Sequence, residues 1–169
     1  APPPLKEARA VRVGDVAPHL DGRLDDPAWR DAVFIRDFVQ KEPVQGAPPG
    51  DATEVGFLYD DDALYMGARM HSHDTAAIRG LVGRRDEPGN TERIILTLDT
   101  YHDRRTSYSL AISATGVRSD YYQPTDNEYD RDHSWNPVWE GRVSIDERGW
   151  TAEVRIPFRT INFDPRLDA

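Results

Sequence analysis

Apolar and polar residues alternate at every second position through stretch after stretch of this chain. "TEVGFLYD" sets Val55, Phe57 and Tyr59 on one face, and "ALYMGARM" sets Leu64, Met66, Ala68 and Met70 on one face. "ERIILTLD" does the same with Ile94, Leu96 and Leu98, and "SYSLAIS" with Tyr108, Leu110 and Ile112. In "GWTAEVRI", Trp150, Ala152, Val154 and Ile156 point one way, and Thr151, Glu153 and Arg155 the other. Successive side chains of a strand leave opposite faces, so a period of two marks half-buried antiparallel strands. "RAVRV" at 9–13 predicts one more short strand. Turn chemistry separates the runs: "DDDA" at 60–63, "ATG" at 114–116 and "DERG" at 146–149. No segment sustains a 3.6-residue period. The pattern predicts an all-β fold, an antiparallel β-sandwich of jelly-roll-like or immunoglobulin-like type. Val55, Phe57, Leu64, Met66, Leu96, Leu98, Leu110, Trp150 and Val154 are expected between its two sheets.

One short N-terminal helix is expected in "DDPAWRDA", where Asp26 can cap and Pro27 suits the first helical position. Trp29 and Ala32, three apart, then face the sheet, and Trp29 reads as a plug under the sandwich.

Length and composition narrow the class. A chain of 169 residues is expected to form one domain large enough for a real core, over residues 9–169. Residues 1–8, "APPPLKEA", read as a stiff, Pro-rich leader of the kind left by signal-peptide cleavage, which points to export. No apolar run approaches the roughly 20 residues of a membrane helix. A net charge of −9 opposes binding to nucleic acid or to anionic lipid, because phosphate rewards clustered Lys and Arg. With no cysteine, thiol catalysis and zinc–thiolate sites are excluded.

Enzyme motifs are missing: there is no G-x-S-x-G, no Gly-rich phosphate loop and no H-E-x-x-H. His71 and His73 stand at i, i+2 beside Asp74, but spacing nominates no further metal ligand, and they read as a polar strand–loop junction.

The stretch "SDYYQPTDNEYDRDHSWNPVWEG", residues 119–141, is too polar for core and long for a connection in a compact domain. Asp126, Glu128, Asp130 and Asp132 form an i, i+2 series of oxygen donors. Calcium takes about six to eight oxygens and suits flexible acidic loops, so these acids are the candidate calcium ligands. Tyr121, Tyr122, Tyr129 and Trp135 offer flat faces for stacking on sugar C–H groups, with Asn136 as a hydrogen-bonding neighbour. Trp135 is expected to be the loop's most exposed large aromatic. Trp139, within the alternating "PVWEGRVS", is expected to pack. Arg84, Arg85 and Asp86 form a second candidate patch, or an exposed ion pair of little energetic weight.

Four stretches carry a family resemblance in a fixed order. They are "HLDGRLDDPAW", "TEVGFLYDDDALYMGARM", "ERIILTLDTYHDRRTSYSLAISATGVRSD" and "SWNPVWEGRVSIDERGWTAEVRIPF". Over about residues 10–163 the chain resembles a family 9 carbohydrate-binding module. More narrowly, it is similar to the version at the N-terminus of large Gram-negative proteins that end in an outer-membrane-type β-barrel. The resemblance implies a jelly-roll-like sandwich and a non-catalytic module that contacts glycan or polysaccharide and often holds calcium. It also implies an exported protein, periplasmic or at the cell surface, attached to a C-terminal barrel. Its alternative is a docking domain that contacts such a barrel and takes no small ligand. Two tryptophans sandwich the sugar in this family. The place of one falls here near Gly89, where no aromatic stands, and the other lies past the last matched strand, beyond Ala169. The domain is thus expected to be shorter at its C-terminus than its relatives. The loop holding Arg84, Arg85 and Asp86 is the one whose counterpart lines the family's ligand site.

Overall fold

The computed structural model describes residues 6–80, 92–127 and 129–164. Its strands are β1 (Ala10–Arg12), β2 (Thr53–Tyr59), β3 (Ala63–His71), β4 (Arg93–Leu98), β5 (Ser107–Ser113), β6 (Arg118–Gln123), β7 (Glu140–Asp146) and β8 (Gly149–Pro157). They form a five-stranded sheet in the order β1-β2-β3-β8-β7 and a three-stranded sheet in the order β4-β5-β6. The two sheets make the β-sandwich that the alternation predicts. The pairings are antiparallel except that β1 runs parallel to β2.

The main core lies between the sheets. Val55, Met66, Leu110, Trp150 and Val154 are buried there, and Phe57, Leu64, Leu96 and Leu98 pack against them from half-buried positions. Asp60 shapes the β2–β3 turn by accepting the N–H groups of Asp62 and Ala63, each at 2.8 Å.

The sequence pattern puts Thr151 and Glu153 outside, yet both are buried, Glu153 completely. For Glu153 the reason is a second apolar layer. The chain between β1 and β2 crosses the outer face of the five-stranded sheet and lays Leu20, Leu24, Trp29, Ala32 and Phe34 against Leu58, Ala63 and Tyr65. Trp29 is the plug, seated on Gly67: a Cβ there would lie 2.8 Å from the indole ring. Gly67 is the cross-strand neighbour of Glu153. The Glu153 carboxylate accepts the Trp29 indole N–H and the backbone N–H groups of Asp21 and Gly22, each at 2.8 Å. Gly22 approaches the sheet at φ +89°, where a Cβ would meet the Val143 backbone at 2.5 Å. Burial pushes the Glu153 carboxyl up, and the three N–H donors pull it back only in part.

The expected N-terminal helix is a single 3-10 turn, Pro27–Asp31. Asp26 sits at its cap position, but its carboxylate accepts the His19 N–H at 2.7 Å rather than a donor of the turn. A short α1 (Thr75–Gly80) follows β3 and was not expected. Asp74 caps it through the Ala77 N–H at 3.1 Å, and Ile78 enters the main core.

Candidate functional site

The loop between β6 and β7 does not stand free. Tyr122 and Asp132 exchange backbone hydrogen bonds (3.0 and 2.8 Å), so the loop doubles back onto the edge of β6. That return carries Trp135 onto Tyr108, with ring centroids 4.8 Å apart and planes at 45°. On the same ring Tyr122 packs at 5.1 Å and 37°. Tyr108 pairs with Leu98 on one side and Tyr122 on the other, where β4 ends, β5 begins and β6 ends. The aromatic cluster therefore closes one end of the sandwich.

A pocket of about 370 Å³ opens there, lined by Tyr101, Tyr108, Tyr122 and Trp135 with Asp132, Ser134 and Asn162. Tyr101 comes from the loop between β4 and β5. Asp99 accepts the N–H groups of Asp103 (3.1 Å) and Arg104 (2.8 Å). Asp103 in turn holds the N–H groups of Arg105 and Thr106 at 2.8 Å. His102 and Arg104 take φ of 53° and 56°, a left-handed conformation that costs about 1 kcal/mol or more for each non-glycine residue. The Thr100 hydroxyl donates to the Asn162 carbonyl and ties the pocket's far wall to this loop.

The pocket's polar groups are set. Asp132 accepts the Ser134 hydroxyl (2.6 Å) and N–H (2.8 Å), which hold its carboxyl below the usual range and keep it ionised. Burial pushes the Tyr122 phenol up, and Tyr108, Tyr101 and Asp103 add to the shift, so its hydroxyl stays neutral. Flat aromatic walls beside an acceptor, hydroxyls and an amide can stack on a pyranose ring and hydrogen-bond its hydroxyls.

Of the residues singled out by sequence, Trp135 and Tyr122 meet here. The others scatter. Tyr121 leaves the opposite face of β6, under the Arg131 guanidinium at 4.8 Å and beside His133 at 5.6 Å. Tyr129 stands at the loop's tip, 94% exposed. This corrects the expectation for Trp135: it is half-buried against the main core, and Tyr129 is the exposed ring. Asn136 lines a separate recess with Arg118 and Trp139. Trp139 is buried, as expected, and donates to Asp120 at 3.0 Å. Arg84, Arg85, Asp86 and Glu128 lie outside the described residues. Of the other candidate calcium ligands, Asp130 accepts the Thr125 hydroxyl at 3.0 Å, Asp132 is held by Ser134, and Asp126 is exposed. Among the described residues, no three His, Asp or Glu side chains gather as a metal site. His71 and His73 turn to Glu54 and Asp51, each at 2.9 Å, rather than to a common point.

Sequence reasoning missed Tyr101 and Asn162. The paired Asp99 and Asp103 around Tyr101, both turn-forming residues, were the available signal.

No protein-family model matches the chain, and no curated protein matches it in sequence. Among solved structures it is similar to a family 9 carbohydrate-binding module from Caldicellulosiruptor kristjanssonii in complex with cellotriose. The TM-score is 0.59 at 14% identity, over 88% of this chain and 67% of that one. It is also similar to a family 9 module from the same organism in complex with glucose, with TM-score 0.60 at 16% identity, over 92% of this chain and 72% of that one. The chain has the fold of these modules.

Proposed function

We propose that this domain, with the fold of a family 9 carbohydrate-binding module, is a non-catalytic sugar-binding module whose grip is the aromatic pocket. The observation that carries the reading is the convergence of Tyr101, Tyr122 and Trp135 around Tyr108, with Asp132, Ser134 and Asn162 in the same lining. The solved modules that share its fold were captured with glucose and cellotriose, which makes neutral gluco-configured sugars the first ligands to try. Among the described residues, the pocket lining contributes one carboxylate, Asp132, whereas glycoside hydrolysis commonly uses a facing pair. That supports binding rather than cleavage.

The test is calorimetric titration with glucose, cellobiose and cellotriose, followed by a glycan array. Tyr101→Ala is the informative variant, because Tyr101 is 41% exposed and its loss should leave the core intact. Losing one stacked ring should weaken binding about fivefold, corresponding to about 1 kcal/mol. No binding across the array, or binding that ignores Tyr101→Ala, would overturn the reading and favour a docking domain. Export of the protein belongs to the same proposal, and cell fractionation tests it. Calcium enters it through the carboxylates of the 126–132 stretch, and an ion there would need the loop to close around it. Millimolar calcium should then raise the melting temperature over excess chelator, since an ion bound only by the folded state stabilises it. An unchanged melting temperature removes calcium from the proposal.

A further inference from the structure

The second apolar layer covers only part of the five-stranded sheet's outer face. Where it stops, a groove of about 640 Å³ runs between the N-terminal segment and the bare end of the sheet. Its floor is a row straight across four strands: Glu54 pairs with Arg69, Arg69 with Thr151, and Thr151 with Ser144. Its wall carries Leu24 and Phe34 from the covering segment.

The floor's carboxylates are already engaged. Both terminal nitrogens of Arg69 hold Asp146 at 2.7 Å, a bidentate fork that keeps the carboxyl down at about 2. Glu54 lies between Arg36 Nε at 2.5 Å and His71 Nε2 at 2.9 Å, and these hydrogen bonds hold it below its usual range. Two further guanidiniums line the groove, Arg23 and Arg148. Arg148 adds a longer-range pull on Asp146. Neither guanidinium has a hydrogen-bond or ion-pair partner among the described residues. Asp25, exposed at the rim, is the groove's third carboxylate, so four guanidiniums (Arg23, Arg36, Arg69, Arg148) face three carboxylates (Asp25, Glu54, Asp146), a net of +1 at a concave site in a chain of net charge −9.

We propose that this groove is a second ligand site and that it takes a carboxylate-bearing sugar, a uronic acid residue of an acidic glycan. The carboxylate meets Arg23 and Arg148, which are planar forks suited to it. A pyranose ring face rests on Phe34 and Leu24, and ring hydroxyls reach the Ser144 and Thr151 hydroxyls. A simple anion would leave the apolar wall and most of the volume unused, since sites of several hundred Å³ suit ligands of sugar size or larger. The groove lies on the far side of the five-stranded sheet from the core and shares no lining residue with the aromatic pocket, so the two sites can fail independently.

Backbone amide shifts of the intact chain, followed by NMR during titration with trigalacturonate, test this directly. Saturable shifts at Ser144, Arg148 and Thr151 that weaken with added salt are expected. Arg23→Gln combined with Arg148→Gln should weaken binding about tenfold or more, because two charge-assisted contacts are lost. Both side chains are on exposed residues, so the fold should survive, and an unchanged melting curve verifies that. Trigalactose, the neutral counterpart, should not shift these amides, and cellotriose titration of the same double variant should match wild type at the aromatic pocket. The proposal is overturned if trigalacturonate gives no saturable shift at low salt, or if the double variant binds it as well as wild type. It is equally overturned if trigalactose binds as tightly, or if acetate alone reproduces the affinity.

Discussion

Replacing Trp29 by Phe would keep an aromatic plug over Gly67 and remove one indole N–H from the fully buried Glu153 carboxylate. A hydrogen bond to a buried charged group contributes about 2–3 kcal/mol when its donor is deleted. The ring atoms shed under the covering segment add about 1 kcal/mol of lost packing. Their total, about 3–4 kcal/mol, lowers the melting temperature of a domain this size by on the order of 10 °C. The pH dependence separates the two parts. Glu153 is raised above its ordinary value, so at pH between its unfolded and folded values the folded state holds a proton that the unfolded state has released. Stability from this group is therefore greatest below the unfolded value and declines as pH rises through the folded one. Trp29 is a donor that pulls Glu153 down, so its removal raises the folded carboxyl further. The cost of Trp29→Phe should be smallest in acid, where Glu153 is protonated in both states, and should grow toward neutral pH. Urea unfolding of wild type, Trp29→Phe, Glu153→Gln and the double variant across that range provides the assay. In the Glu153→Gln background the Trp29→Phe cost should shrink and lose its pH slope. A cost that is equal at acid and neutral pH, and equal in both backgrounds, would show that only packing is lost.

Gly67→Ala places a Cβ 2.8 Å from both Trp29 and Leu24 and should cost about 1–3 kcal/mol by overpacking, read as a lower urea midpoint at unchanged slope. Asp146 is depressed to about 2 by Arg69, so its contribution is present above its ordinary value of 3.8 and lost as pH falls from there toward 2. Its side chain is 46% exposed, so solvent screening limits Asp146→Asn to about 1 kcal/mol, and acid unfolding of that variant should lack this part of the slope. Trp135→Ala should lower stability by about 2–4 kcal/mol because the ring rests on Tyr108 and the main core. Tyr129→Ala should stay within about 0.5 kcal/mol of wild type in the same melts.

The two-sheet core was legible because a strand writes its buried face into every second residue. Trp150, Ala152, Val154 and Ile156 follow that rule to the last position. Glu153 was not legible, because its burial depends on Trp29, Asp21 and Gly22, more than 120 positions earlier in the chain. A period of two tells which residues share a face and is silent on whether another segment covers that face. The site divides the same way. The length and aromatic content of the 119–141 stretch marked it, and Tyr122 and Trp135 do meet in the pocket. Tyr121 and Tyr122, adjacent on one strand, were bound to point apart, and they do. The exposure of Trp135 depended on a backbone bridge between Tyr122 and Asp132 that no side-chain pattern encodes.

The covering segment links the molecule's two least expected features. It buries Glu153, because a carboxylate in the outward register of β8 is the acceptor that two backbone N–H groups and an indole N–H require when the segment lies flat on the sheet. It also makes the groove, because its apolar cover stops at Phe34, and Arg36 meets the Glu54–Arg69–Thr151–Ser144 row only at Glu54. An outer sheet face left bare would be a flat polar surface with no wall for a ligand to rest on. A face covered completely would have no opening. The partial cover gives that row an apolar side and a concave shape, and its anchor is the same Trp29–Glu153 contact that holds the second layer down. Stability and groove geometry therefore share one anchor, whereas the aromatic pocket, built at an end of the three-stranded sheet from Tyr101, Tyr108, Tyr122 and Trp135, stands on the other side of the core.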